Sequence, residues 1–324
     1  MAHGLRSPAV PRLLVTRRLP EGGLDPLLAA GHELVQRDGD EPYTPAELTA
    51  LAGDVDGIVC ILTDRIDADV LRAGAPRLKV VANVAVGYDN IDVAAATELG
   101  VAVCNTPGVL DETTADLAFL LILAASRRAT DAEADLRAGR WTGFHIGDFL
   151  GVDVHGATLG IVGYGRIGQA VARRATGFGM EVLHHSRTDT GVPGWVGDLD
   201  DLLPRVDVVS LHVPLQDATR GLIDARRLAL MKPSAVLVNT ARGPVVDEAA
   251  LAVALEDGAI FAAGIDVYER EPTVHPRLLA APHAVLLPHI GSATEATRRR
   301  MAQLASEGAV AVLAGERPAN LVSL

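Results

Sequence analysis

The 324-residue chain is long for one domain and comfortable for two, and its 49% hydrophobic content calls for packed cores rather than disorder. A formal charge of −12, with no Lys/Arg block beyond "TRRRM" (297–301), argues against a nucleic-acid partner. The longest strongly apolar stretch, 117–125, is too short to span a bilayer, so no membrane association is expected. The opening "MAHGLRSPAVPRLLV" has no secretion core, and Cys60 and Cys104 sit in apolar runs without CxxC spacing. A cytoplasmic protein with two buried thiols is the reading, and no metal site is expected.

Strands and helices alternate almost throughout. "RLLVT" (12–16) reads as a strand, "LDPLLAAG" (24–31) as a helix and "HELVQ" (32–36) as a strand. Thr44-Pro45-Ala46-Glu47 spells a capping box with proline at the first helical position. "GIVCI", "LKVVANVAV" and "VAVCNT" are further β-rich runs separated by helices. This alternation predicts parallel sheets covered on both faces. A long helix follows over about 113–128, with acids in its first turn and Arg127 and Arg128 in its last, as the helix dipole favours. Its middle, "LAFLLILAA", is apolar on every face, which predicts burial all round, between domains or between subunits. The aperiodic segment 139–156 carries Trp141, Phe144 and Phe149 in a chain only 3% aromatic. It reads either as a surface loop or as a loop packing on a second copy. A second alternating series runs from "TLGIVG" through "EVLHHS", "VDVVSLHV", "AVLVNTA", "IFAAGIDV" and "AVLLPH", and a helix over about 294–314 closes the chain.

The string "TLGIVGYGRIGQAVARR" places Gly163, Gly165 and Gly168 between a strand and a helix, the context in which GxGxxG signals a dinucleotide site. Gly163 allows the tight turn, Gly165 lets a pyrophosphate approach the backbone, and Gly168 lets the helix pack on the strand. About twenty residues on, an NAD site carries an acid for the ribose 2′-hydroxyl. Here Ser186 stands in that place, followed by Arg187 and Thr188. An arginine between two hydroxyls suits a 2′-phosphate, so NADPH is the preferred cofactor and NADH the second. Arg187 reads otherwise as an exposed turn residue, and a shifted loop would bring Asp189 back towards the ribose.

Three charged residues end late strands: Arg242 after "VLVNTA", Glu271 after "GIDVYER", and His289 after "AVLLP". Singly they read as a surface base, a turn acid and a helix cap. Together they supply what hydride transfer to a 2-keto acid needs. A guanidinium holds the carboxylate and polarises the keto oxygen, and an imidazolium gives that oxygen its proton. A carboxylate behind the imidazole orients it and raises its pKa.

The runs "VAVGYDNID" (84–92), "NTPGVLDETTADLAFLLILAASRR" (105–128), "LGIVGYGRIGQAVARR" (159–174), "VNTARGPVVDEAAL" (238–251), "AAGIDVYEREP" (262–272) and "LLPHIGSAT" (286–294) resemble, in order, those of the D-isomer-specific 2-hydroxyacid dehydrogenases. The resemblance covers nearly the whole chain. It implies two Rossmann/flavodoxin-like, doubly wound parallel-sheet domains of α/β class with an active-site cleft between them. Residues 1–106 plus 293–324 would be the substrate-binding domain, and 107–292 the dinucleotide-binding Rossmann domain. It implies the catalytic set Arg242, Glu271 and His289, with Val86 and Gly87 N–H groups joining Arg242 and His289 on the substrate. It implies a cofactor set of Gly163, Tyr164, Gly165, Arg166, Ile167, Gly168, Ser186, Arg187, Thr188, Val213, Pro214, Thr219, Thr240, Ala241, Asp266 and Gly291, with Asp266 on the nicotinamide carboxamide. It implies a homodimer through helix 113–128 and the loop around Trp141.

Within the family, "SRT" and the run from "GYDNID" to "TTAD" are most similar to glyoxylate/hydroxypyruvate reductases, with D-3-phosphoglycerate dehydrogenases and other D-2-hydroxyacid dehydrogenases as alternatives. A non-enzymatic, NAD(H)-sensing corepressor-like protein would keep the same fold, but neither a long disordered tail nor an added peptide-docking surface is visible. An amino-acid dehydrogenase, whose chemistry often uses catalytic lysines, is disfavoured because the chain has only Lys79 and Lys232. Hydrolase chemistry lacks a GxSxG elbow, and "HELVQ" lacks the second histidine of a zinc site.

Overall fold

The computed structural model describes residues 10–323. Residues 1–9, which belong to the stretch read above as lacking a secretion core, and Leu324 lie outside the described residues. The chain forms two compact units, one from residues up to Leu110 together with Ala293 onward, the other Asp111–Ser292. In chain order the strands are β1 (Arg12–Val15), β2 (Glu33–Val35), β3 (Gly57–Cys60), β4 (Val80–Asn83), β5 (Ala102–Cys104) and β6 (Thr158–Val162). They continue with β7 (Glu181–His185), β8 (Val208–Leu211), β9 (Val236–Asn239), β10 (Ala262–Ile265), β11 (Ala284–Leu286) and β12 (Leu321–Ser323).

The first unit holds a sheet ordered β12-β5-β4-β3-β1-β2, parallel except for β12, which runs antiparallel to β5. The capping box at Thr44 forms as the sequence predicts: its hydroxyl accepts the Glu47 N–H, and the Glu47 carboxylate accepts the Thr44 N–H. The closing helix Glu295–Leu313 lies against β3, β4 and β5 and buries Met301, Ala302, Ala305 and Ala309. On the sheet's other face Leu14, Ile58, Val81 and Val103 join a core with Leu48, Leu71 and Ala96. The sequence pattern missed β12, because three residues are too few to show a period and the pairing with β5 is long-range.

The second unit holds an all-parallel sheet ordered β11-β10-β9-β8-β6-β7. Successive strand residues feed opposite cores, as the pleat requires. Leu237 joins the face with Leu202, Leu251 and Leu278, while Val236 and Val238 join the face with Ala118, Leu121 and Val171. Strands buried on both faces explain the near-continuous apolar runs in the sequence.

The long helix spans Asp111–Ser126 and covers the second face. Within a single chain its burial is not all round. Leu120 and Leu123 are 51% and 37% exposed, on one stripe with the exposed Glu112 and Asp116. A 16-residue helix on a sheet touches its neighbours with part of its circumference only, and among the described residues no further layer covers this stripe. Among the described residues no helix is long and apolar enough to cross a membrane.

Candidate active site

In the second unit the strand order reverses at β6 and β8, so the loops after these strands open at the topological switch point where such sheets take ligands. β6 ends at Val162, and Gly163 turns the chain at φ +97°, a left-handed conformation that favours glycine. A Cβ on Gly163 would stand 2.7 Å from the carbonyl carbon of His212, and one on Gly168 would stand 2.3 Å from the Gly163 carbonyl oxygen. The chain's own packing therefore explains both glycines. Gly165 is different: a Cβ there would meet nothing within 4 Å. It precedes the helix Arg166–Thr176, whose first turn receives no side-chain cap, so Arg166, Ile167 and Gly168 begin a helix with open N–H groups. Bare backbone and open donors fit a pyrophosphate. The Tyr164 ring stacks on the His184 imidazole, centroids 3.9 Å apart, which fixes the loop from beneath.

At the end of β7 the Ser186 hydroxyl donates to the Thr188 carbonyl at 2.8 Å, folding "SRT" into a compact turn. Asp189 accepts the Gly191 N–H at 2.8 Å, a local turn bond that engages one of its oxygens. Arg187 is exposed and, among the described residues, makes no ion pair. After β8 come His212, Val213 and Pro214. The Thr219 hydroxyl donates to the Pro214 carbonyl at 2.6 Å and accepts the Gln216 N–H at 2.9 Å, closing the following turn. After β9 the Thr240 hydroxyl is buried with no partner among the described residues, an orphaned polar atom that a bound ligand would satisfy. The neighbouring Ala241 N–H is engaged by Asn239 Oδ1 at 3.0 Å.

The three charged residues follow from β9, β10 and β11. Gly243, after Arg242, lets this turn lie directly on another backbone: a Cβ there would be 1.8 Å from the Tyr268 carbonyl carbon. Asn239 Nδ2 holds the Arg242 carbonyl at 3.0 Å. His289 Nδ1 lies 2.8 Å from Glu271 Oε2, and the other carboxylate oxygen accepts the Tyr268 N–H at 3.0 Å. Burial pushes the Glu271 carboxyl up, but the His289 bond and charge, the Tyr268 N–H and the Arg242 charge outweigh it and hold the group below its ordinary range. An ionised carboxylate only accepts, so Nδ1 donates and Nε2 is the ring nitrogen left for other chemistry. The structure thus brings Arg242, Glu271 and His289 together, each half-buried.

Asp266 stands where β10 ends, 1% exposed. Its two oxygens accept the Ile290 and Gly291 N–H groups at 2.7 and 2.8 Å, and its carbonyl accepts the His289 N–H at 2.8 Å. Burial pushes its carboxyl up against the pull of these donors and of His289. The residue read as a nicotinamide contact is therefore also the clasp of the histidine loop. Gly291 is held on its other side by the Thr114 hydroxyl at 3.4 Å.

In the first unit, Val86 and Gly87 lie in the turn after β4. The sequence reading passed over His212, whose backbone packs on Gly163, and over Asn83 and Asn105, whose amides hold that turn. A histidine directly after β8 was the one available signal for the first. An asparagine at a strand end carries no such mark.

The model of the D-isomer specific 2-hydroxyacid dehydrogenase, NAD binding domain, matches residues 119–291, a span that runs through the glycine loop, Arg242, Glu271 and His289. The glyoxylate reductase of Thermococcus onnurineus is 47% identical over 322 residues, 97% of this chain and 96% of that protein. Among solved structures, a protein of Thermus thermophilus is 46% identical with a TM-score of 0.90, covering 96% of this chain and 99% of that one. The NADPH-dependent glyoxylate/hydroxypyruvate reductase of Sinorhizobium meliloti, solved with NADP and malonate, is 36% identical with a TM-score of 0.87, covering 97% of each chain. Likeness of this depth over the whole of both units, around a glycine loop and a carboxylate-backed histidine, has one meaning: the chain belongs to the D-isomer specific 2-hydroxyacid dehydrogenase family.

Proposed function

We propose that this NAD(P)-dependent oxidoreductase reduces small 2-keto acids to D-2-hydroxy acids, glyoxylate and hydroxypyruvate foremost, with NADPH preferred and NADH as the second reductant. The observation that carries the reading is the 2.8 Å pair of His289 and Glu271 beside Arg242, at strand ends of a unit that opens with a bare glycine cradle. The unit Asp111–Ser292 carries the glycine cradle for the cofactor, and the Val86 and Gly87 N–H groups are the donors for the substrate carboxylate in this reading.

A bound nicotinamide cofactor supplies the hydride for the keto carbon. Arg242 pairs with the substrate carboxylate and keto oxygen, and its fixed charge favours the negative charge that develops on that oxygen. His289 Nε2 delivers a proton to the same oxygen, completing the alcohol. Glu271 keeps the imidazole in the orientation and tautomer that free Nε2. Arg187, flanked by Ser186 and Thr188, meets the 2′-phosphate that distinguishes NADPH.

The chain works as a homodimer in this reading. Leu120 and Leu123 leave an apolar stripe on the long helix, and Trp141, Phe144 and Ile146 are 58%, 82% and 85% exposed on the following loop. Aromatic and aliphatic side chains exposed at this density mark a partner surface. The unpaired buried thiols of Cys60 and Cys104 fit a reducing cytoplasm.

A spectrophotometric screen tests the assignment. Glyoxylate, hydroxypyruvate, pyruvate and phosphohydroxypyruvate are each offered with NADPH and with NADH, and the loss of reduced nicotinamide is followed. The highest kcat/KM is expected for glyoxylate or hydroxypyruvate with NADPH. A clear preference for phosphohydroxypyruvate would move the protein to the phosphoglycerate branch, and no turnover of any keto acid would overturn the enzymatic reading.

A further inference from the structure

We propose that Asn105 and Asn83 are positioning residues for the substrate carboxylate, acting by capturing backbone carbonyls of the turn after β4 so that its N–H groups face the anion. The inference rests on the proposed 2-keto acid reductase activity and deepens it.

Three consecutive carbonyls of this turn are held from within the first unit. The Ala85 carbonyl accepts the Thr106 N–H at 2.9 Å, the Val86 carbonyl accepts Asn105 Nδ2 at 2.8 Å, and the Gly87 carbonyl accepts Asn83 Nδ2 at 2.9 Å. A trans peptide is planar, with its N–H and C=O pointing opposite ways. Holding the carbonyls of residues 85, 86 and 87 therefore turns the N–H groups of Val86, Gly87 and Tyr88 each away from the group that holds its peptide. Among the described residues the Val86 and Gly87 N–H groups meet no acceptor. Successive N–H groups without an acceptor are donors available to an anion, here a carboxylate.

The amides that do the holding are themselves fixed. Asn83 is fully buried, and its Oδ1 receives the Cys60 thiol at 3.5 Å. Burial, followed by the Asp64 charge, pushes that thiol well up, so it keeps the proton it donates. Asn83 Nδ2 is shared with Asn90 Oδ1 at 3.1 Å, and Asn90 in turn donates to the Ile61 and Asp64 carbonyls at 3.1 and 2.9 Å. Asn105 is held by its backbone: its N–H donates to the Asn320 carbonyl at 3.2 Å, and its carbonyl accepts Asn320 Nδ2 at 2.8 Å. A hydrophobic residue at either position would leave a turn carbonyl unheld and free its peptide to rotate.

The test uses the full chain with NADPH saturating. Asn105→Leu keeps the volume and removes the donor, and Asn105→Ala is the milder companion that leaves the Asn320 bonds intact. In both, KM for glyoxylate and the inhibition constant of oxamate, a non-reacting carboxylate, are expected to rise together by roughly tenfold, the loss of a hydrogen bond to a charged group. The kcat, the NADPH dissociation constant and the Tm are expected to stay near those of the unsubstituted protein. An unchanged KM in the folded variant, or a rise in KM matched by an equal weakening of NADPH, would overturn the assignment while leaving the reductase reading intact. Absence of keto-acid turnover in the unsubstituted chain would overturn both.

Discussion

His289 reaches its 2.8 Å bond to Glu271 from a left-handed backbone, φ +55°, a conformation that a non-glycine residue adopts at a cost of about 1–3 kcal/mol. Three hydrogen bonds from the His289, Ile290 and Gly291 N–H groups to Asp266 hold it there. The strained turn and its buried clasp are one device: the loop cannot relax without giving up Asp266, and while it stays, Nδ1 meets Glu271 and Nε2 stays free. The loop's fold and the His289–Glu271 pair are linked through this carboxylate.

Removing the ring should separate chemistry from binding. In His289→Gln, kcat is expected to fall by about 10²- to 10⁴-fold, the range lost with a general acid. NADPH affinity should persist, because the glycine cradle is untouched. Glu271→Gln is expected to fall between this variant and the parent, since the amide oxygen still accepts from Nδ1 but the negative charge is gone. Steady-state kinetics with a fluorescence titration of NADPH check both, and normal kcat in His289→Gln would remove that residue from the mechanism.

Glu271 also predicts how stability responds to acid. Its folded-state pKa lies below the ordinary value of 4.5, so the folded state binds this proton less readily than the unfolded chain. The resulting stabilisation is fully present above that ordinary value and disappears as pH falls through the lowered folded value. The Tm difference between the parent and Glu271→Gln should therefore shrink as pH falls below 4.5. Thermal denaturation across the acid range reads this directly, and a gap that widens towards acid would contradict the ionised pair.

Much of this site was legible because its chemistry coincides with strong local signals. Gly163, Gly165 and Gly168 stand at a strand–helix junction, and Arg242, Glu271 and His289 each follow an apolar run that only a buried strand explains. What stayed hidden depends on long-range contacts. Asp266 clasps residues 290 and 291, some 25 positions on, so its sequence neighbourhood says nothing of it. Asn105 holds Val86 from 19 positions away, and β12 exists only through β5. The open stripe of Leu120 and Leu123 escaped for a different reason: uniform apolarity has no phase, so the face left uncovered cannot be read from it.

Arg187 should decide between the two cofactors. It is exposed, with no ion pair among the described residues, so its substitution costs little stability. Arg187→Ala is expected to weaken NADPH by about 1.5–3 kcal/mol, the loss of a charged hydrogen bond to phosphate, and to leave NADH nearly unchanged. Dissociation constants measured by fluorescence or calorimetry provide the comparison, and equal losses for the two cofactors would refute the 2′-phosphate contact.

The sharpest separation of fold from ligand lies in two glycines three residues apart. Alanine at Gly168 puts a Cβ 2.3 Å from the Gly163 carbonyl oxygen, so helix and turn must part, at a cost of about 1–3 kcal/mol. Alanine at Gly165 meets nothing within 4 Å, and the residue's extended backbone suits any side chain. Its fold should therefore be as stable as the parent's or slightly more so, because alanine restricts the unfolded chain. Yet this is the methyl that would occupy the approach of a pyrophosphate to the helix N-terminus. Gly165→Ala should keep the parent Tm in the absence of cofactor and lose most of its affinity for both NADPH and NADH, whereas Gly168→Ala should lose Tm first. If Gly165→Ala bound both cofactors normally, the open space above that glycine would not be the phosphate cradle, and the cofactor's placement along this loop would have to be withdrawn.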